Sequence, residues 1–161
     1  MAVAPLAGRC AAETPSVAPL DAADGGGGDK IEIQFSPYTY HFSGSEGHSN
    51  VLALALSSVD SSGWLWGGSY FRNSFGQPCA YVFGGRKYEE PFGLAKTYWS
   101  WTAGVLYGYK PPYEDKVPLN HQGFSPGAVL TLGWQFTPQL STQLNAVGTA
   151  GIMIQFSLDF R

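Results

Sequence analysis

The sequence has little charge. Of its 161 residues only 13% are Asp, Glu, Lys or Arg, about half the share usual in soluble domains. A soluble chain with so few charges would struggle to cover its surface, whereas a barrel whose outer band meets lipid has no such need. No apolar run reaches the roughly 18 residues of a transmembrane helix, so that route across a membrane is excluded. There is no basic block and the net charge is −3, which argues against nucleic acid as a partner. The two cysteines, Cys10 and Cys79, cannot build a disulfide framework or a zinc site. No metal and no cofactor are expected. Helical periodicity is also missing from Lys30 onwards, where apolar residues recur every second position.

What the sequence does have is aromatic residues, at 15%, and 21 glycines. They concentrate in Trp64-Leu65-Trp66-Gly67-Gly68-Ser69-Tyr70-Phe71, which runs into the polar turn Arg72-Asn73-Ser74 and restarts at Cys79. Residues 1–29 are rich in Ala, Pro and Gly and carry no aromatic ring. They are expected to be a disordered leader remnant and linker, with Cys10-Ala11-Ala12 resembling a small-residue cleavage site. Gly25 to Gly28 lacks the strand-to-helix setting of a phosphate loop.

From 30 to 161 the period-two pattern predicts eight strands: 31–42, 51–58, 64–72, 79–88, 96–109, 126–136, 139–147 and 150–160. Leu52, Leu54 and Leu56 take one face of the second strand and Ala53 and Ala55 the other. Ile152, Ile154, Phe156, Leu158 and Phe160 alternate with Gly151, Met153, Gln155, Ser157 and Asp159 in the last. Strands of roughly 9–11 residues cross a bilayer when tilted, and eight suffice to close a barrel around side chains or one small ligand. The expected fold is all-β: an eight-stranded antiparallel up-and-down β-barrel, transmembrane, of the outer-membrane type. Pro37 and Pro126 sit where ladder donors are dispensable, so either could open the wall laterally or simply mark a strand end.

Up-and-down topology gathers the connections after strands one, three, five and seven at one end. His41, His48, His121, Asn73 and Ser74 all fall there. A histidine near a serine hydroxyl can take its proton and make a nucleophile, or activate an acceptor hydroxyl. Histidines and serines are equally at home in solvated loops. Glu46, Glu114 and Asp115 are available as an orienting acid, but spacing does not choose among them.

Several short stretches together resemble the lipid A palmitoyltransferases of the Gram-negative outer membrane: Tyr38-Thr39-Tyr40-His41, Phe71-Arg72-Asn73-Ser74-Phe75-Gly76, the Gly84-Gly85 strand, Thr102-Ala103-Gly104-Val105 and Val117-Pro118-Leu119. The resemblance implies an eight-stranded barrel in the bacterial outer membrane with an interior pocket that measures an acyl chain. It implies palmitoyl transfer from a phospholipid to lipid A, with membrane lipids (phospholipid and lipopolysaccharide) as partners and a monomeric chain. The family's essential histidine and Asp-Ser pair carry over to His41, Asn73 and Ser74. Its aspartate is Asn73 here, and an amide cannot accept a proton or stabilise an imidazolium by charge. The family's amphipathic helix before the first strand has no counterpart in the composition of residues 1–29.

Three readings follow. In the first, the chain is an acyltransferase, with His41 as base, Ser74 as hydroxyl partner and Asn73 as orienting group. Gly67, Gly68, Gly84, Gly85 and Gly104 then leave interior room for the acyl chain, or relieve backbone crowding where a small barrel bends. In the second, a non-catalytic outer-membrane barrel binds lipid or a small apolar ligand. In the third, a soluble lipocalin-like or streptavidin-like carrier uses the same architecture.

Overall fold

The computed structural model describes residues 29–42, 50–148 and 150–160. The expected leader, residues 1–29, lies outside these except for Asp29, as do His48 and Glu46. Eight strands form: β1 (Lys30–His41), β2 (Ala53–Val59), β3 (Trp64–Arg72), β4 (Pro78–Glu89), β5 (Thr97–Tyr107), β6 (Phe124–Gln135), β7 (Leu140–Val147) and β8 (Gly151–Phe160). Each pairs antiparallel with the next, and β8 pairs with β1, so the sheet closes. The only helical pieces among the described residues are 3-10 turns at Pro91–Gly93 and Glu114–Lys116. The predicted strands are all present. The largest shifts are of two residues, at the starts of β2 and β6 and the end of β5; β6 begins two residues before Pro126, because the ladder to β5 continues through Val105↔Pro126 and on to Tyr107↔Phe124.

The alternation sorts side chains by chemistry. Outward positions are apolar: Leu52, Leu54 and Leu56 are 56%, 56% and 57% exposed, and the matching rows on β6 and β8 are exposed as well. Such a surface is one that hydrocarbon, not water, accommodates. Aromatic rings gather at both rims. All five tryptophans stand on outward positions near the short-turn end, where the connections after β2, β4 and β6 lie. Tyr38, Tyr40, Tyr70, Tyr107 and Phe124 ring the long-loop end.

Inward positions change character along the axis. Towards the short-turn end they are polar and buried. Lys87 Nζ meets Glu32 Oε1 at 2.6 Å, and Lys30 Nζ meets Asp159 Oδ2 at 2.6 Å. Gln34 Nε2 donates to Glu32 Oε2 at 3.0 Å. Lys87 also lies 4.0 Å from the centre of the Tyr98 ring. The Tyr98 hydroxyl donates to Gln143 Oε1 at 2.8 Å, and Gln155 Oε1 accepts from both Gln143 and Asn145. Each charge of this network has a partner, and the amides of Gln34, Gln143 and Asn145 each have an acceptor, as burial of polar groups demands. This network forms a polar floor.

Candidate functional site

Above the floor, the inward side chains of the long-loop half are mostly small or apolar: Ala53, Ala55, Phe71, Phe83, Leu106, Val129 and Met153. Phe71, Phe83, Leu106, Val129 and Met153 point inward yet are only half-buried. A side chain that faces the axis and is still accessible borders open space. Among the described residues the barrel is therefore a cup, hollow towards the long-loop end and closed by the polar floor. Tyr81 spans part of the hollow from β4, donating its hydroxyl to Gly127 O on β6 at 3.2 Å. A Cβ on Gly127 would lie 2.8 Å from that ring.

The five glycines singled out in the sequence divide by register. Gly67, Gly85 and Gly104 face inward. Gly68 and Gly84 fall on the outward rows with Trp66, Val82 and Arg86, so these two do not line the interior. At the inward three, a Cβ would run into the neighbouring strand, within 2.8 Å of Ser57 Cα, 2.8 Å of Thr102 Cα and 2.7 Å of Phe83 Cα respectively. They permit close strand approach where a small barrel curves.

His41 ends β1 on its inward row, paired with Gly151 of β8. A side chain at Gly151 would collide with the Tyr40 carbonyl. Asn73 and Ser74 lie two strands away at the same end, buried at 2% and 6% exposure. The geometry of Asn73 is that of a turn organiser. Its Oδ1 accepts from Phe75 N at 3.1 Å and from Gln77 N at 2.9 Å, and its Nδ2 donates to Gln77 Oε1 at 3.4 Å. The amide expected to orient a histidine is thus committed to its own loop, as short polar side chains in turns commonly are.

That loop is fastened to the long connection between β5 and β6. Gln77 Nε2 donates to Lys110 O at 3.1 Å and Lys110 N to Gln77 Oε1 at 3.2 Å. The rings of Phe75 and Tyr113 stack at 4.2 Å. Asn120 Nδ2 donates to Tyr109 O at 2.8 Å. Burial, with Cys79 adding to it, pushes the Tyr109 phenol up to about 12, so this group is held neutral and offers no base. His121 stands apart in this loop, exposed and bridged to Phe124. Gln77 and Lys110 gave no sequence signal, because their pairing joins residues 33 apart.

Pro37 and Pro126 mark the two irregular seams. The β1–β8 register shifts between Phe35 and Tyr38, and the β1–β2 ladder stops at Ser36↔Ala53. Beyond that point Asn50 stitches the seam, donating to Pro37 O at 2.7 Å and accepting from Thr39 N at 3.2 Å. On the other side, the β6–β7 ladder begins only at Val129↔Val147. Among the strands, residues 124–128, Pro126 among them, are therefore paired with β5 alone. Both interruptions of the ladder lie at the level of the hollow, the first of them held by Asn50. No group of acids, histidines or cysteines that could hold a metal ion occurs among the described residues.

No protein-family model matches this chain, and no curated protein matches it. Among solved structures it is similar to a de novo designed transmembrane β-barrel, at 14% identity and a TM-score of 0.56, over 83% of this chain and 96% of that one. That likeness establishes the closed eight-stranded transmembrane-type fold and carries no activity with it.

Proposed function

We propose that this barrel spans the bacterial outer membrane with its long-loop end outward and takes the acyl chain of a phospholipid into the hollow above the floor. One observation carries the reading: Phe71, Phe83, Leu106, Val129 and Met153 are inward, apolar and only half-buried in one half, while the inward groups of the floor are polar and buried. A hydrocarbon chain entering such a cup gains apolar contact until it meets charged and amide groups it cannot satisfy. The seams at Pro37 and Pro126 supply side entrances at lipid level.

At the rim, His41 would take the proton of an acceptor hydroxyl on lipid A. The acceptor oxygen attacks the ester carbonyl of the phospholipid, the bond to glycerol breaks, and the proton passes to the departing glycerol oxygen. Ser74 positions one of these oxygens or serves as the first acceptor. The engagement of Asn73 within its turn favours a second reading, in which the barrel binds the chain without transferring it.

Mass spectrometry of lipid A from Gram-negative cells expressing the wild type or His41→Ala separates the two. An added acyl chain that His41→Ala abolishes supports transfer. An unchanged pattern, with the barrel folded in the membrane, leaves the binding reading.

A further inference from the structure

Among the described strand residues, only two charged side chains stand on outward rows: Arg72 near the long-loop end and Arg86 near the short-turn end. Arg86 is held in an aromatic frame. Its register partners are Trp64 on β3 and Trp101 on β5, and these rings meet edge to face at 6.5 Å. The Arg86 guanidinium carbon lies 5.4 Å from the centre of the Trp64 ring and 5.3 Å from that of Tyr88. Tyr88 stacks in turn on Trp99 at 4.6 Å.

The aromatic groups satisfy the faces of the guanidinium but not its edge. No carboxylate pairs with it among the described residues; the three ion pairs there use lysines. One N–H reaches Ser62 O at a long 3.5 Å, and Nε is buried without an acceptor. Asp60, in the turn that holds Ser62, spends Oδ1 on Ser62 N, Ser62 Oγ and Trp64 N. Aromatic rims mark the level of the lipid headgroups. A guanidinium there, stacked on its faces and short of an anion at its edge, is built for a phosphodiester, whose oxygens match its fork. Towards the barrel middle the same outward rows carry Gly84, Gly68 and Ala103 between Trp66 and Val105, a shallow lane in which an acyl chain can lie.

We infer that Arg86, framed by Trp64 and Tyr88, binds the phosphate of one phospholipid in the leaflet at the short-turn end. This rests on the membrane-spanning reading and is independent of acyl transfer, which would take place at the opposite end. The lipid here is retained on the outside of the wall; it is not a substrate.

The test has two stages. The full chain is first inserted into phosphatidylethanolamine–phosphatidylglycerol vesicles and checked for heat-sensitive electrophoretic mobility. It is then released into detergent and titrated with the same phospholipids under native mass spectrometry. The wild type is expected to keep one phospholipid. Arg86→Gln is expected to bind it roughly fivefold more weakly or worse, the equivalent of about 1 kcal/mol for one cation at a lipid surface. Arg86→Lys, which keeps the charge and loses the fork, falls between, and Arg72→Gln matches the wild type. Inorganic phosphate does not displace the lipid. Equal retention by wild type, Arg86→Gln and Arg86→Lys overturns the site, and displacement by inorganic phosphate overturns its assignment to lipid. Should Arg86→Gln fail to fold, Arg86→Lys alone decides, since retention equal to wild type overturns the need for a fork. A chain that never enters vesicles overturns the membrane reading and this site with it.

Discussion

The ring of Tyr98 lies across Gly133, its register partner on β6, where any side chain would collide with it. Glycine at 133 thus lets the ring lie flat on the wall, with its hydroxyl within 3.1 Å of Ser141 Oγ and 2.8 Å of Gln143 Oε1. Tyr98→Phe should cost about 1–3 kcal/mol by stranding buried partners. Gly133→Ala should cost a similar amount by overpacking. The two losses should not add, because displacing the ring already breaks its bonds. Urea unfolding of the reconstituted barrel, as single and double variants, measures this.

The Glu32–Lys87 pair makes a second prediction. Lys87→Met leaves a buried carboxylate without its cation and should destabilise by about 3–5 kcal/mol. Glu32→Gln combined with Lys87→Met should recover most of that loss, since a neutral amide can keep Gln34 and Ser57 as neighbours. The same unfolding assay reads both. A double variant as unstable as Lys87→Met would show that the charge pair contributes net stability.

Asn73 allows structure and chemistry to be separated. Asn73→Ala removes the acceptor for two backbone N–H groups and should cost about 1–3 kcal/mol. Asn73→Asp keeps that acceptor and supplies the negative charge a histidine base can use. If the barrel transfers acyl groups, Asn73→Asp should raise the rate at least about tenfold and at most about four powers of ten, read as acylated lipid A per folded barrel. An unchanged rate would show that the carboxylate has no histidine to act upon.

Asp60, in the turn between β2 and β3, carries the pH prediction. Hydrogen bonds, first from the Ser62 side chain, hold its carboxyl below the usual range. The folded state therefore prefers the anion, so the contribution is complete above the ordinary carboxyl range and is lost as pH falls through the lowered value. At pH values below the ordinary carboxyl range, Asp60→Asn should flatten the acid limb of the unfolding midpoint relative to wild type. Parallel acid limbs would assign the acid sensitivity to other carboxylates.

Much of this architecture was legible from alternation alone. Leu52, Leu54 and Leu56 opposite Ala53 and Ala55, and Ile152 to Phe160 opposite Gly151 to Asp159, gave both the strands and their two faces. The glycines were not so readable. Gly67 and Gly68, or Gly84 and Gly85, are adjacent in sequence and therefore face opposite ways, since one residue reverses the side of a strand. Their own side chains give no clue to which is which. The floor was hidden for another reason. Glu32 and Lys87 are 55 residues apart, and nothing local to either predicts the other until the wall closes. The role of Asn73 was obscured by resemblance: an amide beside a serine at a strand tip suggests chemistry, while its hydrogen bonds are spent on the turn.

The seam between β1 and β8 bears on how such a wall can be assembled. The first strand finds its second neighbour only when the last arrives, more than a hundred positions later along the chain; Ile31 pairs with Phe160. Until then both strands expose rows of unpaired amides, which hydrocarbon penalises by several kcal/mol for each group. Stepwise insertion, strand by strand, would leave those edges bare in the bilayer. The hairpins must gather at the surface, or under the protection of another protein, and enter together. A chain cut short before Gly151 should wait at the membrane without crossing it, exposed to proteases and prone to pairing its edges with another copy.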